Sequence, residues 1–344
     1  MKIVHGILLI TFLCITMGKT LLAQSNKLVS EYHSTKGKLD VLSGGVQVIP
    51  IQTAKGTFNV WTKRVGNNPK IKVLLLHGGP GATHEYFECF DSFFPQEGFE
   101  YYYYDQLGSA YSDNPNDASL WTIDRFVEEV ETVRKALHMD ASNFILLGHS
   151  WGGILATEYA LKYQQNLKGL VISNMVPSVP EYNAYANNVL APKLPKEILA
   201  SIRAYETKGD YTNPAYLKLI EDNYYPEHVL RMPPATWPDP VKRAFAKMNY
   251  PLYLQMQGPS EFGIVGDASL KNWDRKPDLY KIKVPVLSIG GEFDTMDPKA
   301  MEEIAKLVPN GQYVYCAKGS HMSMYDDQQT YFKGLIKFIK GLEK

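Results

Sequence analysis

The sequence predicts an α/β fold, a mostly parallel sheet with helices on both faces and a helical cap inserted into it. Three observations carry this. Apolar runs of strand length recur at residues 71–76, 144–147, 167–173 and 284–290, and such runs suit parallel strands buried on both faces. Helix-length amphipathic stretches separate the early runs, which gives β-α-β-α-β order. From Pro177 to about Asp274 the strand rhythm stops, and Tyr, Pro and helical stretches take its place.

Composition sets the outer bounds. The chain has 344 residues, 45% hydrophobic and 21% charged, which is enough for one large domain with an insertion. The formal net charge is zero, so no basic field for nucleic acid exists. Residues 1–23 differ from the rest. Lys2 precedes an apolar run at 7–17, and Leu21-Leu22-Ala23 follows. This reads as a secretory signal peptide cleaved near Ala23 or Gln24. The run is short for a bilayer, so the mature protein is expected to be secreted or periplasmic, with no stable membrane span. Cys14 lies within that segment. Cys89 and Cys316 are far apart and make no disulfide framework. They read as buried free thiols, without metal-ligand neighbours.

The elements follow in order. Residues 46–51 and 57–64 read as antiparallel strands joined at Lys55-Gly56. The buried strand 71–76 ends in His77-Gly78-Gly79-Pro80-Gly81, a sharp loop with exposed backbone N–H groups. The strand 100–104 leads into Asp105-Gln106-Leu107-Gly108-Ser109-Ala110-Tyr111-Ser112-Asp113. Asp105 and Asp113 are expected to fix that loop through hydrogen bonds to local backbone rather than to bind metal. Residues 122–137 form an amphipathic helix with Phe126, Val127, Val130 and Val133 on its apolar face. The strand 144–147 runs into Gly148-His149-Ser150-Trp151-Gly152-Gly153, and a helix spans 154–163. Within the cap, 195–209, 214–223 and 240–257 read as helices. The core resumes with strands 284–290 and 313–316 and closes with a helix over 328–342. The expected division is therefore signal peptide 1–23, core 24–176, cap 177–274 and core 275–344.

Strand, Gly-x-Ser-x-Gly, then helix is the context of a nucleophile elbow. Its tight turn leaves no room for side chains two residues either side of Ser150, which Gly148 and Gly152 provide. The N–H groups of Gly79 and Trp151 are the expected oxyanion donors. Partners follow in the chain order of α/β-hydrolases, Ser150, Asp294, His321. Asp294 lies just past the strand 284–290 and His321 past the next. Glu292 and Asp297 compete for the acid role, but Glu292 is still close to the strand end and Asp297 precedes Pro298 as a helix cap. In this scheme Ser150 attacks, His321 moves the proton and Asp294 orients His321.

Together, the His77 to Gly81 loop, the Asp105 to Asp113 loop and the Trp-containing elbow resemble the proline iminopeptidases, serine aminopeptidases of the α/β-hydrolase fold that include the tricorn-interacting aminopeptidase. The resemblance runs from about Ile71 to the C-terminus. It implies that Gln257-Gly258-Pro259-Ser260-Glu261-Phe262 carries a glutamate, Glu261, for the substrate's free α-amine. A second segment, from Pro226 to Arg231, implies the same for Glu227. Ala110 departs from the pattern, standing where the family commonly has glycine. The implied activity is release of N-terminal residues, with proline a candidate, from small peptides with a free N-terminus. No cofactor or metal is implied. The alternative is an esterase, lactonase or amidase acting on small acyl substrates, since one fold serves many reactions.

Overall fold

The computed structural model describes residues 30–343. The expected signal peptide lies outside them. Among the described residues, eight strands form one sheet. They are β1 (Val46–Thr53), β2 (Gly56–Val65), β3 (Lys72–Leu76), β4 (Glu100–Asp105), β5 (Phe144–His149), β6 (Gly169–Ser173), β7 (Val286–Gly291) and β8 (Gly311–Cys316). Their order is β1-β2-β4-β3-β5-β6-β7-β8. β1 and β2 form an antiparallel hairpin, β2 pairs antiparallel with β4, and every later pairing is parallel. Leu76 pairs with Gly148, and Gly148 with Ile172. The carboxyl ends of β3, β5 and β6 therefore lie level, and their loops emerge at one edge, where open α/β sheets place ligands.

Two-residue alternation builds a core on each face. Leu74, Leu76 and Leu146 join Phe126 and Val130 of α1 (Ile123–Ala136) and Ile154 and Leu155 of α2 (Trp151–Tyr163). Val73, Leu75, Ile145 and Leu147 face the other way. There they meet the closing helix Gln328–Gly341 through Phe332, Leu335 and Ile339. Cys316 is buried as expected and Cys89 is half-buried; both are free thiols.

Between β6 and β7 lie six α-helices among the described residues: α3 (Val179–Tyr185), α4 (Lys196–Thr207), α5 (Pro214–Asn223), α6 (Tyr225–His228), α7 (Asp239–Ala246) and α8 (Tyr250–Met256). An isolated antiparallel bridge, Ser178 to Asp274, ties the two ends of this segment together. The segment carries a small core of its own, with Ile202, Tyr216, Ile220, Tyr224 and Phe262. One helix expected over 240–257 is in fact two, α7 and α8. Pro251 lacks an N–H and suits only a first turn, and the Asn249 side chain caps Leu252 N at 3.4 Å. The helix expected from 154 starts earlier, at Trp151, so Gly152 and Gly153 lie inside it. No described helix is long and apolar enough to cross a membrane.

Glu129 shows how α1 supports the loop after β4. It is buried, accepts hydrogen bonds from Tyr104 Oη and Arg125, and takes the Leu107 N–H at 2.9 Å. Removing one partner of a buried charge pair strands the other. Glu129→Ala is expected to destabilise the fold by about 3–5 kcal/mol, read from urea unfolding midpoints.

Candidate active site

Ser150 sits between β5 and α2 with φ 56° and ψ −127°, a backbone state that non-glycine residues adopt only when their surroundings impose it. The imposing contacts are visible at the two glycines. A Cβ on Gly148 would lie 1.9 Å from the Gly152 carbonyl oxygen, and one on Gly152 would lie 2.1 Å from that of Leu76. Ser150 N donates to Ser173 O at 3.1 Å, and Ser150 O accepts from Gly153 N at 2.7 Å. The turn thus holds Ser150 over the edge where the loops emerge.

The loop after β3 packs directly on it. A Cβ on Gly78 would come within 2.8 Å of Ser150 Cβ. The N–H groups of Gly79 and Trp151 have no acceptor among the described residues. Both residues stand beside Ser150, Gly79 on the cavity wall and Trp151 at the first position of α2.

Trp151 has a second tie. Its Nε1 donates to Gln106 Oε1 at 2.9 Å, while Gln106 Nε2 donates to His77 O at 3.0 Å. Gln106 N in turn donates to His77 Nε2 at 3.1 Å. The loop after β4 therefore braces both the elbow and the loop after β3. Its aspartates hold it. Asp105 accepts from His84 N at 3.0 Å and His84 Nδ1 at 2.8 Å, and Asp113 accepts from Asn59 N at 2.7 Å. Ala110 adopts φ 35°, a left-handed value that explains why glycine suits that position.

Asp294 and His321 meet. His321 Nδ1 donates to Asp294 Oδ1 at 2.8 Å, with both side chains buried. Asp294 Oδ2 accepts from Asn174 Nδ2 at 2.8 Å, and that amide also donates to Ser320 O at 3.0 Å. The rival acids lie elsewhere. Asp297 caps the helix Pro298–Leu307 through Lys299 N at 2.9 Å, and Glu292 accepts from Tyr315 Oη at 2.6 Å. Ser150 and His321 line one cavity of about 170 Å³. No hydrogen bond joins Ser150 Oγ to His321 among the described residues; such contacts commonly tighten only when substrate is bound.

The helical insertion closes this cavity with Tyr225, Phe245, Met248, Tyr253 and Glu261. Glu261 is buried. Its Oε1 accepts from Tyr253 Oη at 2.6 Å, whereas Oε2 has no partner among the described residues. Burial raises its pKa above the usual carboxylate range, against the opposing charge of His321. Glu227 is a correction. Its side chain is 63% exposed, 3.8 Å from Arg231, and takes no part in lining the cavity. The short helix α6 turns it to solvent, while Tyr225, two residues earlier, faces inward. The second acid on the cavity is Glu221, which sequence reasoning missed. Its signal was helical spacing: Glu221 follows Leu217 by one turn of α5, and both line the cavity. Asn174 and His228 were missed as well. His228 O accepts from His321 N at 2.9 Å, and His228 Nδ1 donates to Phe293 O at 2.8 Å.

A reactive-serine elbow at the carboxyl edge of a parallel sheet, with an acid–imidazole pair following the last two strands, defines a serine hydrolase of the α/β-hydrolase fold. Residues 72–328 match the alpha/beta hydrolase fold family. The chain is 58% identical over 296 residues to the proline iminopeptidase of Elizabethkingia meningoseptica, covering 86% of this chain and 98% of that one. It is 59% identical over 295 residues to that of Flavobacterium johnsoniae, with the same coverage. The crystal structure of proline iminopeptidase from Mycobacterium smegmatis superposes with a TM-score of 0.76 at 27% identity, covering 87% of this chain and 98% of the other. The chain belongs to the proline iminopeptidase family.

The imidazole environment sets a pH limit. Burial acts to lower the His321 pKa, but the Asp294 charge, its hydrogen bond and the Glu261 charge outweigh it, so the value rises above 6.5. A raised pKa contributes stability that is present below the unfolded value and lost as pH rises through the folded one. With His321 assigned as the base, activity runs the opposite way, because only a neutral imidazole can accept a proton. The acidic limb of kcat/KM against pH is expected to have its midpoint above about 6.5, and a midpoint below that contradicts the assignment.

Proposed function

We propose that this chain is a serine aminopeptidase that releases N-terminal proline from small peptides. Ser150 Oγ attacks the acyl carbon of the first residue. His321 takes the Ser150 proton and delivers it to the leaving amine. Asp294 holds the Nδ1–H tautomer of His321 and stabilises the imidazolium. The Gly79 and Trp151 N–H groups receive the developing oxyanion. Water then resolves the acyl-enzyme by the same route in reverse.

The observation that carries the aminopeptidase reading is the unpartnered Oε2 of Glu261, buried in the cavity that also holds Ser150 and His321. A substrate ammonium supplies the missing partner through a charge-assisted hydrogen bond. Glu221 offers a second carboxylate on the same cavity. A space of about 170 Å³ suits a single small residue, and its apolar lining suits a pyrrolidine ring. An esterase or lactonase acting on uncharged acyl groups would leave Glu261 Oε2 without a partner. The leader-like segment 1–23 supports a secreted or periplasmic location, and N-terminal sequencing of the exported protein tests it: a start at or near Gln24 is expected.

Two substitutions test the chemistry. Ser150→Ala is expected to lower kcat on prolyl arylamides by about 10⁴-fold or more; wild-type activity in that variant excludes Ser150 as nucleophile. Glu261→Gln is expected to cut kcat/KM for the free-amine substrate by roughly 10- to 100-fold, with little change for small uncharged esters. Equal turnover of prolyl and N-acetylprolyl arylamides by the wild type sinks the aminopeptidase reading.

A further inference from the structure

His149 precedes the nucleophile and is buried, yet the chemistry above gives it no task. Its ring makes two hydrogen bonds. Nε2 lies 2.8 Å from His321 O, and Nδ1 lies 3.1 Å from Tyr86 Oη. A carbonyl oxygen can only accept, so Nε2 must carry the proton. Nδ1 is then bare and must accept, so Tyr86 donates its hydroxyl proton to it. The Tyr86 oxygen in turn accepts the Gly78 N–H at 2.5 Å. One fixed donor thus sets the direction of every bond in the chain. It runs from Gly78 N–H to Tyr86, from Tyr86 to His149, and from His149 to the main chain of His321.

Its two ends matter. Gly78 adjoins Gly79 in the loop after β3, and His321 follows β8. Ser150 lies between the two loops. Burial, together with the neighbouring His321, drives the His149 pKa down to about 3, so the ring keeps one proton and one bond direction across the working range. A charged ring would present two donors and turn Tyr86 around. His321 N is held from the other side by His228 O at 2.9 Å, and the peptide that carries the His321 carbonyl is held by both His149 and, through Met322 N at 2.9 Å, Val229 O.

We propose that His149 is a positioning residue, a one-way hydrogen-bonded link that uses Tyr86 to hold the Gly78-Gly79 loop and the His321 main chain in register about Ser150. This rests on Ser150 and His321 acting as nucleophile and base. Tyr86 and His149 both line the cavity, and the His149 ring lies 4.9 Å from that of His321, but neither supplies an oxyanion donor or the base, so loss of the link misplaces those groups without removing either.

The test measures kcat and KM separately on a prolyl arylamide, with thermal unfolding to verify folding. His149→Phe keeps the ring's bulk and loses both bonds. It is expected to lower kcat on the order of 10- to 100-fold, the scale of a small misplacement of reacting groups, with KM changed little. His149→Gln retains an N–H donor able to reach His321 O and is expected to recover part of kcat. Tyr86→Phe breaks the same link, so Tyr86→Phe/His149→Phe should lose much less than the product of the two single losses. Wild-type kcat in His149→Phe overturns the proposal, as do equal losses in the Phe and Gln variants or single losses that multiply. If His149→Phe does not fold, Tyr86→Phe carries the test alone: a lowered kcat at near-constant KM supports the link, and an unchanged kcat overturns it. Wild type and Ser150→Ala are run alongside. Full activity in Ser150→Ala refutes the nucleophile assignment, an outcome distinct from any of these.

Discussion

The site depends on one strained residue. Ser150 at φ 56° is unfavourable for a side chain, and nothing within the pentapeptide alone would hold it there. The strain is balanced by packing around it: β5 pairs on both sides, Ser150 N bonds across to Ser173 O, and α2 begins at the next residue. Strain of this kind costs on the order of 1–3 kcal/mol and survives only where the surroundings over-determine it. In return, the hydroxyl stands at a helix N-terminus beside two N–H groups that no acceptor among the described residues claims.

Because Ser150 is fixed by the sheet, the remaining groups must be brought to it, and the helical insertion does much of this. The stretch from His228 to Arg231 bonds repeatedly with the loop after β8. His228 O takes His321 N, Val229 O takes Met322 N at 2.9 Å, and Arg231 N donates to Asp326 Oδ2 at 3.1 Å. The His228 ring reaches the carbonyl beside Asp294. The insertion is therefore part of the scaffold for acid and base as well as the roof of the cavity.

What could be read from the sequence follows from the range of the interactions. The elbow glycines, the strand runs and the Ser150, Asp294, His321 order were legible because local sterics and strand burial leave direct marks on neighbouring residues. The break between α7 and α8 was there to be read in Asn249-Tyr250-Pro251, and it was overridden by a helical pattern across it. Asn174 and His228 left no such mark. Asn174 acts through its side-chain amide and His228 through its carbonyl and ring nitrogen, brought to the site by tertiary packing. Glu227 was assigned from the likeness of its short segment alone, and the orientation of a four-residue helix decided against it. Glu221 lay six residues away, on the face of α5 that the same helical rule identifies once Leu217 is known to face inward.

On the proposed reading, Glu261 makes binding at this site selective. A buried carboxylate oxygen without a partner costs about 1–3 kcal/mol, and here burial also raises the pKa. An incoming ammonium opposes both effects: it satisfies Oε2 and favours the ionised carboxylate. A blocked or uncharged N-terminus does neither and must displace whatever solvent reaches the site without compensation. Discrimination then arises from a defect in the empty enzyme that only the correct end group repairs, the kind of rejection by unpaired polar groups that exceeds what an apolar pocket achieves by shape. The same defect lies close to His321, whose pKa it helps to raise.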